Sequence, residues 1–239
     1  MRKAICFDKQ MAFFVEKKSI MRIQQIKILP EQILLQNLHK AALMYGEYVE
    51  KDVLIVYAKN KEGPFYSYVF HAGKENFQHL AGVKYPKGAE YFYEHCLNGT
   101  LKRADLHPVE NMKLTSSKIE ILPEAIHLQA AKIYKIGDKD LVTLKNKFSV
   151  AIGNTRTVMG IDKRDGRVPV PVTVMDRSIA DFCSVTYSIF LIMTKNIGDE
   201  KYTNVLYEKT KGILEKASFG KDIDDIIENS AHTTTEVIG

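Results

Sequence analysis

The chain has 239 residues, with 34 lysines and arginines against 29 aspartates and glutamates, which leaves a net charge of +5. A hydrophobic content of 45% is typical of a globular protein and excludes a low-complexity chain. No run approaches the about 18–20 apolar residues of a membrane span, and the three cysteines are far apart with no CxxC pair, so we expect a cytoplasmic protein without a membrane association.

Residues 1–26 show no periodic pattern and are predicted to form an N-terminal extension. A helix is predicted over residues 30–45, because Pro30 and Glu31 suit a first helical turn and apolar residues then recur at helical spacing. Three strands are predicted next, over residues 53–58, 65–70 and 77–83. The second is rich in aromatic residues, and the third is expected to pair with it as a hairpin.

Helical patterns return over three segments, 88–97, 101–106 and 117–134. Five further strands are predicted over 148–152, 155–161, 168–174, 185–193 and 202–207, and Asp165-Gly166 between two of them is a strong hairpin signal. This order predicts an α+β fold, with N-terminal helices packed on a twisted, mainly antiparallel sheet. We expect a single domain over residues 27–218, then an acidic, partly disordered tail over 219–239.

His79 is the candidate for proton transfer. No phosphate-binding loop, dinucleotide fingerprint or nucleophile elbow occurs in the chain. The seven histidines lack metal-ligand spacing, so neither a metal nor another cofactor is predicted. A neutral imidazole can take a proton from a hydroxyl group and return it to a leaving group. The alternative is a half-buried, hydrogen-bonded histidine without a catalytic role.

Basic residues cluster along the later strands and turns. The cluster comprises Arg156, Lys163, Arg164, Arg167 and Arg177. Because arginine suits bidentate contact with phosphate oxygens, these residues are candidates for RNA binding; the alternative is a hairpin edge that charge protects from aggregation. Lys195 ends an apolar strand, where it either stabilises a pentavalent phosphorane or reaches solvent.

Several segments resemble a phage- and mobile-element-associated group of predicted nucleases in the barnase/EndoU/colicin/RelE-like superfamily. They are NFQHLAGV (76–83), AEYFYEHCLNGTL (89–101), KIYKIGD (132–138) and VMGIDKRDGRVPV (158–170). The resemblance implies N-terminal helices packed on a four-stranded antiparallel sheet. It also implies metal-independent RNA cleavage, in which a ribose 2′-hydroxyl attacks the neighbouring phosphate and leaves a cyclic phosphate.

The resemblance also implies site residues. His79 matches the family's strand histidine and would act as the general base, and Thr173 and Lys195 fall where later polar positions are expected. One departure is Ala81, where relatives often have threonine. If that threonine held the substrate or the histidine, activity would be lower in this chain.

The predicted function is a metal-independent endoribonuclease that acts as a toxin or phage-conflict factor. RNA is its predicted substrate, and an antitoxin or immunity protein its predicted partner. The alternative is a catalytically inactive relative that binds RNA or a protein partner through the basic hairpins. A third interpretation is an unrelated α+β protein with His79 in its core. A second proton-transfer group within reach of His79 distinguishes the first interpretation from the others.

Overall fold

The computed structural model describes residues 28–138, 148–162 and 167–228. The helices of these segments are α1 (Glu31–Gly46), α2 (Lys74–Ala81), α3 (Ala89–Leu97), α4 (Met112–Ala125), α5 (Ile213–Lys216) and α6 (Lys221–Asp224). The strands are β1 (Lys51–Ala58), β2 (Tyr66–His71), β3 (Val83–Lys84), β4 (His107–Pro108), β5 (Lys135–Asp138), β6 (Val150–Gly153), β7 (Val158–Asp162), β8 (Val170–Met175), β9 (Tyr187–Asn196) and β10 (Asn204–Glu208).

Eight of these strands form one sheet in the order β2-β1-β9-β5-β6-β7-β8, with β10 also paired to β9. Every pairing in the sheet is antiparallel. The sheet curls, because the His71 N–H at the end of β2 donates to the Pro169 carbonyl just before β8, at 2.8 Å. The two ends of the strand order therefore meet at this point.

The helices α1 to α4 cover one face of the sheet and share its main core. Phe77 of α2 lies at the centre of an aromatic cluster, with its ring 5.5 Å from those of Tyr45 on α1 and Tyr93 on α3. All three rings are buried, and aromatic pairs at such distances contribute about 0.5–1.5 kcal/mol each beyond their area burial. This cluster fixes α2 against its neighbours.

The opposite face carries a second core. Leu54 and Leu191 from the sheet pack there with Phe219, Ile223 and Ile227. The folded part of the chain therefore continues past residue 218, because residues that we expected to belong to the acidic tail are buried against the sheet. Residues 229–239, like the predicted extension over 1–26, lie outside the described part.

The predicted α+β architecture is confirmed, with the helices α1 to α4 on one face of an antiparallel sheet. Within the described residues the sheet has eight strands, where the resemblance implied four. Where a helix was predicted over 101–106, the structure has only one 3-10 turn, Arg103–Asp105. The helix predicted over 117–134 starts earlier, at Met112, and ends at Ala125, before a 3-10 segment. The β7–β8 hairpin forms, although its turn at 163–166 lies outside the described residues.

The strand predicted over 77–83, which would have carried His79, is wrong. His79 lies on the helix α2. Phe77, Leu80 and Ala81 are fully buried, and their spacing places them on one face of a helix. Gly82 then ends the helix with a φ of 68°, a left-handed conformation that glycine adopts without steric cost.

Candidate active site

The turn between β2 and α2 sets the geometry of the site. Its residues, Ala72 and Gly73, separate His71 at the end of β2 from the helix that carries His79. The Gly73 N–H donates to Asn76 Oδ1 at 2.9 Å, and the Tyr45 hydroxyl donates to the Gly73 carbonyl at 3.0 Å. Both hydrogen bonds are buried, so the turn fixes the end of β2, which carries His71, relative to α2, which carries His79.

A third residue, just before β1, forms a hydrogen bond to the same turn. Glu50 accepts a hydrogen bond from the Lys74 N–H through Oε1, at 2.8 Å. Its own backbone has a φ of 57°, which is uncommon for a residue with a side chain and costs about 1–2 kcal/mol. Glu50 thus combines this uncommon backbone conformation with a side chain that caps the helix carrying His79.

A cleft of about 490 Å³ opens beside this turn. Its polar lining consists of Asp52, His71, Glu75, Asn76, His79 and Arg167. Its apolar lining comes mostly from the start of β8, with Val168, Val170, Pro171, Val172 and Ile197. The His79 side chain is exposed and His71 is half-buried, so both imidazoles can meet a substrate in one cleft.

His71 is joined to a carboxylate. Its Nδ1 lies 3.3 Å from Asp52 Oδ1, and the two side chains are 21% and 24% exposed. They stand directly opposite each other on paired strands β1 and β2, so the sheet itself holds them together. A carboxylate in this position orients an imidazole and fixes which ring nitrogen faces the cleft.

Lys195 lies beside this pair and outside the cleft lining. It stands opposite Asp52 on β9, so His71, Asp52 and Lys195 form one row across three strands on the same face. Its ammonium donates to the Asp199 carbonyl at 2.6 Å and lies 5.2 Å from the centre of the Tyr202 ring. Burial, together with the charge of Asp52, raises the pKa of Tyr202 to about 12, so this phenol stays neutral at physiological pH.

Thr173 also lies just outside the cleft lining, next to Val172 on β8. Its hydroxyl accepts a hydrogen bond from the Lys118 ammonium of α4 at 3.3 Å. Ala81 is fully buried in the main core. A threonine there would place its hydroxyl in the core, so the departure at this position removes no group from the cleft.

The three predicted RNA-binding residues that the structure describes do not form one patch. Arg167 lies in the cleft, just before β8. Arg156 and Arg177 lie at the other end of the β7–β8 hairpin, where Val158 pairs with Met175, roughly 17 Å away along a six-residue strand. Both are ion-paired, Arg156 to Glu124 at 3.8 Å and Arg177 to Asp181 at 3.2 Å. Lys163 and Arg164 lie outside the described residues.

Sequence reasoning proposed neither Asp52 nor His71 as a site residue. Neither belongs to a local motif. They meet because β1 and β2 pair in the register that sets Asp52 opposite His71. The helical spacing of Phe77, Leu80 and Ala81, followed by a glycine, was the available signal that His79 belongs to a helix.

The chain matches the model of the phage-Barnase-EndoU-ColicinE5/D-RelE like nuclease 4 family (PBECR4) over residues 37–211. The chain belongs to this nuclease family. The match begins within α1 and spans the helices α2 to α4, the whole sheet and every polar residue of the cleft. Neither a curated protein nor a solved structure matches the chain. The family is one of nucleases, so a nucleic acid is the substrate class that it implies.

No helix in the described residues has the length and apolar character to cross a bilayer. In residues 28–138, 148–162 and 167–228, no three histidine, cysteine or carboxylate side chains are grouped to hold a metal ion.

Proposed function

We propose that the protein is a metal-independent endoribonuclease that cleaves RNA by attack of the ribose 2′-hydroxyl on the adjacent phosphate. The observation that carries the proposal is the presence of two imidazoles, His79 and the Asp52-bound His71, in one cleft. Such chemistry needs one group that removes a proton and another that supplies one. The family match supports a nuclease but does not distinguish RNA from DNA.

His79 is the general base in this proposal. Its exposed imidazole takes the proton of the 2′-hydroxyl as that oxygen attacks phosphorus. His71 is the general acid and gives its proton to the 5′-oxygen that leaves, so the products are a 2′,3′-cyclic phosphate and a 5′-hydroxyl. Asp52, at 3.3 Å from His71 Nδ1, orients the ring and balances its charge when it is protonated.

Arg167 supplies positive charge to the phosphate in the cleft, since a guanidinium can contact two phosphate oxygens at once. Lys195 acts through the row that it forms with Asp52 and His71, because its ammonium is held by the Asp199 carbonyl. Thr173 acts through Lys118, whose ammonium it binds. Both are thus positioning residues in the proposal.

RNA binding is proposed to use the basic residues of the hairpin, namely Arg156, Lys163, Arg164, Arg167 and Arg177. Surface ion pairs of the kind that Arg156 and Arg177 make are worth only about 0–1 kcal/mol, so a phosphate can displace their carboxylates. Affinity should then fall steeply with salt, with a slope of about −0.7 in log–log form per phosphate neutralised on a single strand.

The biological role proposed is that of a toxin or phage-conflict factor in the cytoplasm, with an antitoxin or immunity protein as its partner. The family description, which names phage and toxin-type nucleases, supports this role. Induced expression in a bacterial host should arrest growth, and the His79→Ala variant should not. Equal growth with both proteins would contradict the toxin role while leaving the ribonuclease proposal intact.

The test of the ribonuclease proposal is incubation of the purified protein with total RNA in excess EDTA. We expect cleavage by the unaltered protein and almost none by His79→Ala. The control is His107→Ala, which removes an exposed histidine outside the cleft lining and should leave cleavage unchanged. Equal cleavage by all three proteins would contradict the role of His79. RNA that stays intact under every condition while still being bound would instead favour the catalytically inactive alternative.

A further inference from the structure

Lys118 is a partly buried lysine that takes no part in the proposed proton transfers. It lies on α4, with its stem packed against Gly82, the residue that ends α2. A Cβ built on Gly82 would lie 2.9 Å from Lys118 Cδ and 3.8 Å from its Nζ. The ammonium therefore sits just beyond the C-terminal end of the helix that carries His79.

The charge of Lys118 is not balanced by a carboxylate in the described part of the chain. The ion pairs found there are His71–Asp52, Lys74–Glu94, Arg156–Glu124 and Arg177–Asp181. The hydrogen bond to Thr173 Oγ1 at 3.3 Å uses one of three N–H donors. Burial lowers the pKa of Lys118, and Glu110 opposes the shift only through its more distant charge. A lysine in this state costs stability unless an anion meets it.

The Lys118 ammonium lies close to the cleft, next to the strand β8. The strand β8 runs along the cleft, from Arg167 before its start to Val172, and Thr173 is the next residue. The helix α2 packs against β8, and both elements contribute residues to the cleft lining. An RNA strand that lies along β8 thus meets Arg167 at one end and Lys118 at the other, with the histidines beside it.

We propose that the Lys118 ammonium, held in place by Thr173, binds a non-scissile phosphate of the RNA strand next to the bond that is cut. The inference rests on the proposed ribonuclease function for its substrate. It adds a second cation just beyond the cleft lining, next to Val172, and specifies what Thr173 positions. It also explains why a lysine occupies a partly buried position where methionine would fit the stem.

The test measures binding of a 2′-O-methyl RNA strand, which lacks the attacking hydroxyl and is not cut. Affinity is recorded by fluorescence anisotropy at several salt concentrations. Lys118→Met should weaken binding on the order of tenfold, in keeping with a charged hydrogen bond, and reduce the salt slope by about 0.7, the share of one phosphate. Lys113→Met is the matched control, since Lys113 is exposed on the same helix; it should keep both values.

Thr173→Val separates positioning from charge. It removes the acceptor that holds the ammonium but keeps the cation, so affinity should fall while the salt slope stays close to that of the unaltered protein. Melting temperatures of all variants exclude unfolding as the cause of a loss. An unchanged salt slope in a folded Lys118→Met protein would overturn the proposal, as would the absence of salt-dependent binding by the unaltered protein.

The outcomes of this test distinguish a failure of the phosphate site from a failure of the ribonuclease proposal. If Lys118→Met lowers the slope but unmodified RNA is never cut, the phosphate site stands and the catalytic proposal fails. If RNA is cut but the slope does not change, the catalytic proposal stands and the phosphate site fails.

Discussion

Asp52→Asn tests how the site uses the carboxylate beside His71. Asparagine keeps the size and shape of the side chain, and removes its charge. A hydrogen bond to a charged group contributes about 1.5–3 kcal/mol, and the 3.3 Å contact lies where both side chains are less than a quarter exposed. In the proposal this bond orients the protonated ring of His71 towards the leaving oxygen, so the cleavage rate of Asp52→Asn should fall about 10–100-fold.

The assay is single-turnover cleavage of an RNA oligonucleotide with the enzyme in excess, so that the rate reports chemistry rather than product release. Affinity for a 2′-O-methyl strand should not fall in Asp52→Asn, because the change removes a negative charge from the cleft. Glu31→Gln, which removes an exposed carboxylate on α1, is the control and should cleave at the normal rate.

The double variant decides whether Asp52 acts through His71. In a His71→Ala background the ring that Asp52 orients is gone, so Asp52→Asn should cause no further loss. If Asp52→Asn slows cleavage by the same factor with and without His71, the carboxylate acts elsewhere and the assignment of the pair is wrong. A normal cleavage rate in Asp52→Asn alone would also show that this assignment is wrong.

Three further predictions concern stability and the elements around the site. Asn76→Ala removes the buried acceptor of the Gly73 N–H and should lower the free energy of unfolding in urea by about 0.5–2 kcal/mol; an unchanged midpoint would show that the cap contributes nothing. Gly82→Ala should cost about 1–2 kcal/mol because its φ is 68°, and should also weaken RNA binding by displacing the Lys118 stem; full stability would contradict the left-handed conformation. Lys118→Met should raise stability at pH 7, since burial lowers the lysine pKa below its ordinary value of 10.5 and the unfolded chain therefore binds its proton more readily. The gain should fade as the pH rises from the lowered pKa towards 10.5, where the amine is neutral in both states, and a gain that persists unchanged above that window would refute this cause.

The architecture could be predicted from the sequence because its signals are local. Apolar spacing predicts the helix α1, and the apolar runs that became β1 and β9 are strands in the structure. The secondary structure of the segment around His79 was harder to predict. A short apolar segment of eight residues fits a strand or a helix almost equally well. The structure has a helix there because Phe77 packs between Tyr45 and Tyr93.

The site itself was only partly predictable. His79 and Arg167 both line the cleft, and each was a candidate from its residue type and position in the chain. Asp52 and Lys118 could not be found in this way, because their roles depend on partners far along the chain. The register of β1 against β2 brings Asp52 to His71, and the packing of α4 against β8 brings Lys118 to Thr173.

The most decisive measurement is cleavage of an RNA oligonucleotide with a single 2′-deoxy nucleotide at the mapped cut site, in EDTA. We expect this one change to abolish cutting at that bond, because the nucleophile is gone, and the unmodified oligonucleotide to yield a 2′,3′-cyclic phosphate and a 5′-hydroxyl. Cleavage of the 2′-deoxy strand at the same bond would show that the ribose 2′-hydroxyl is not the nucleophile.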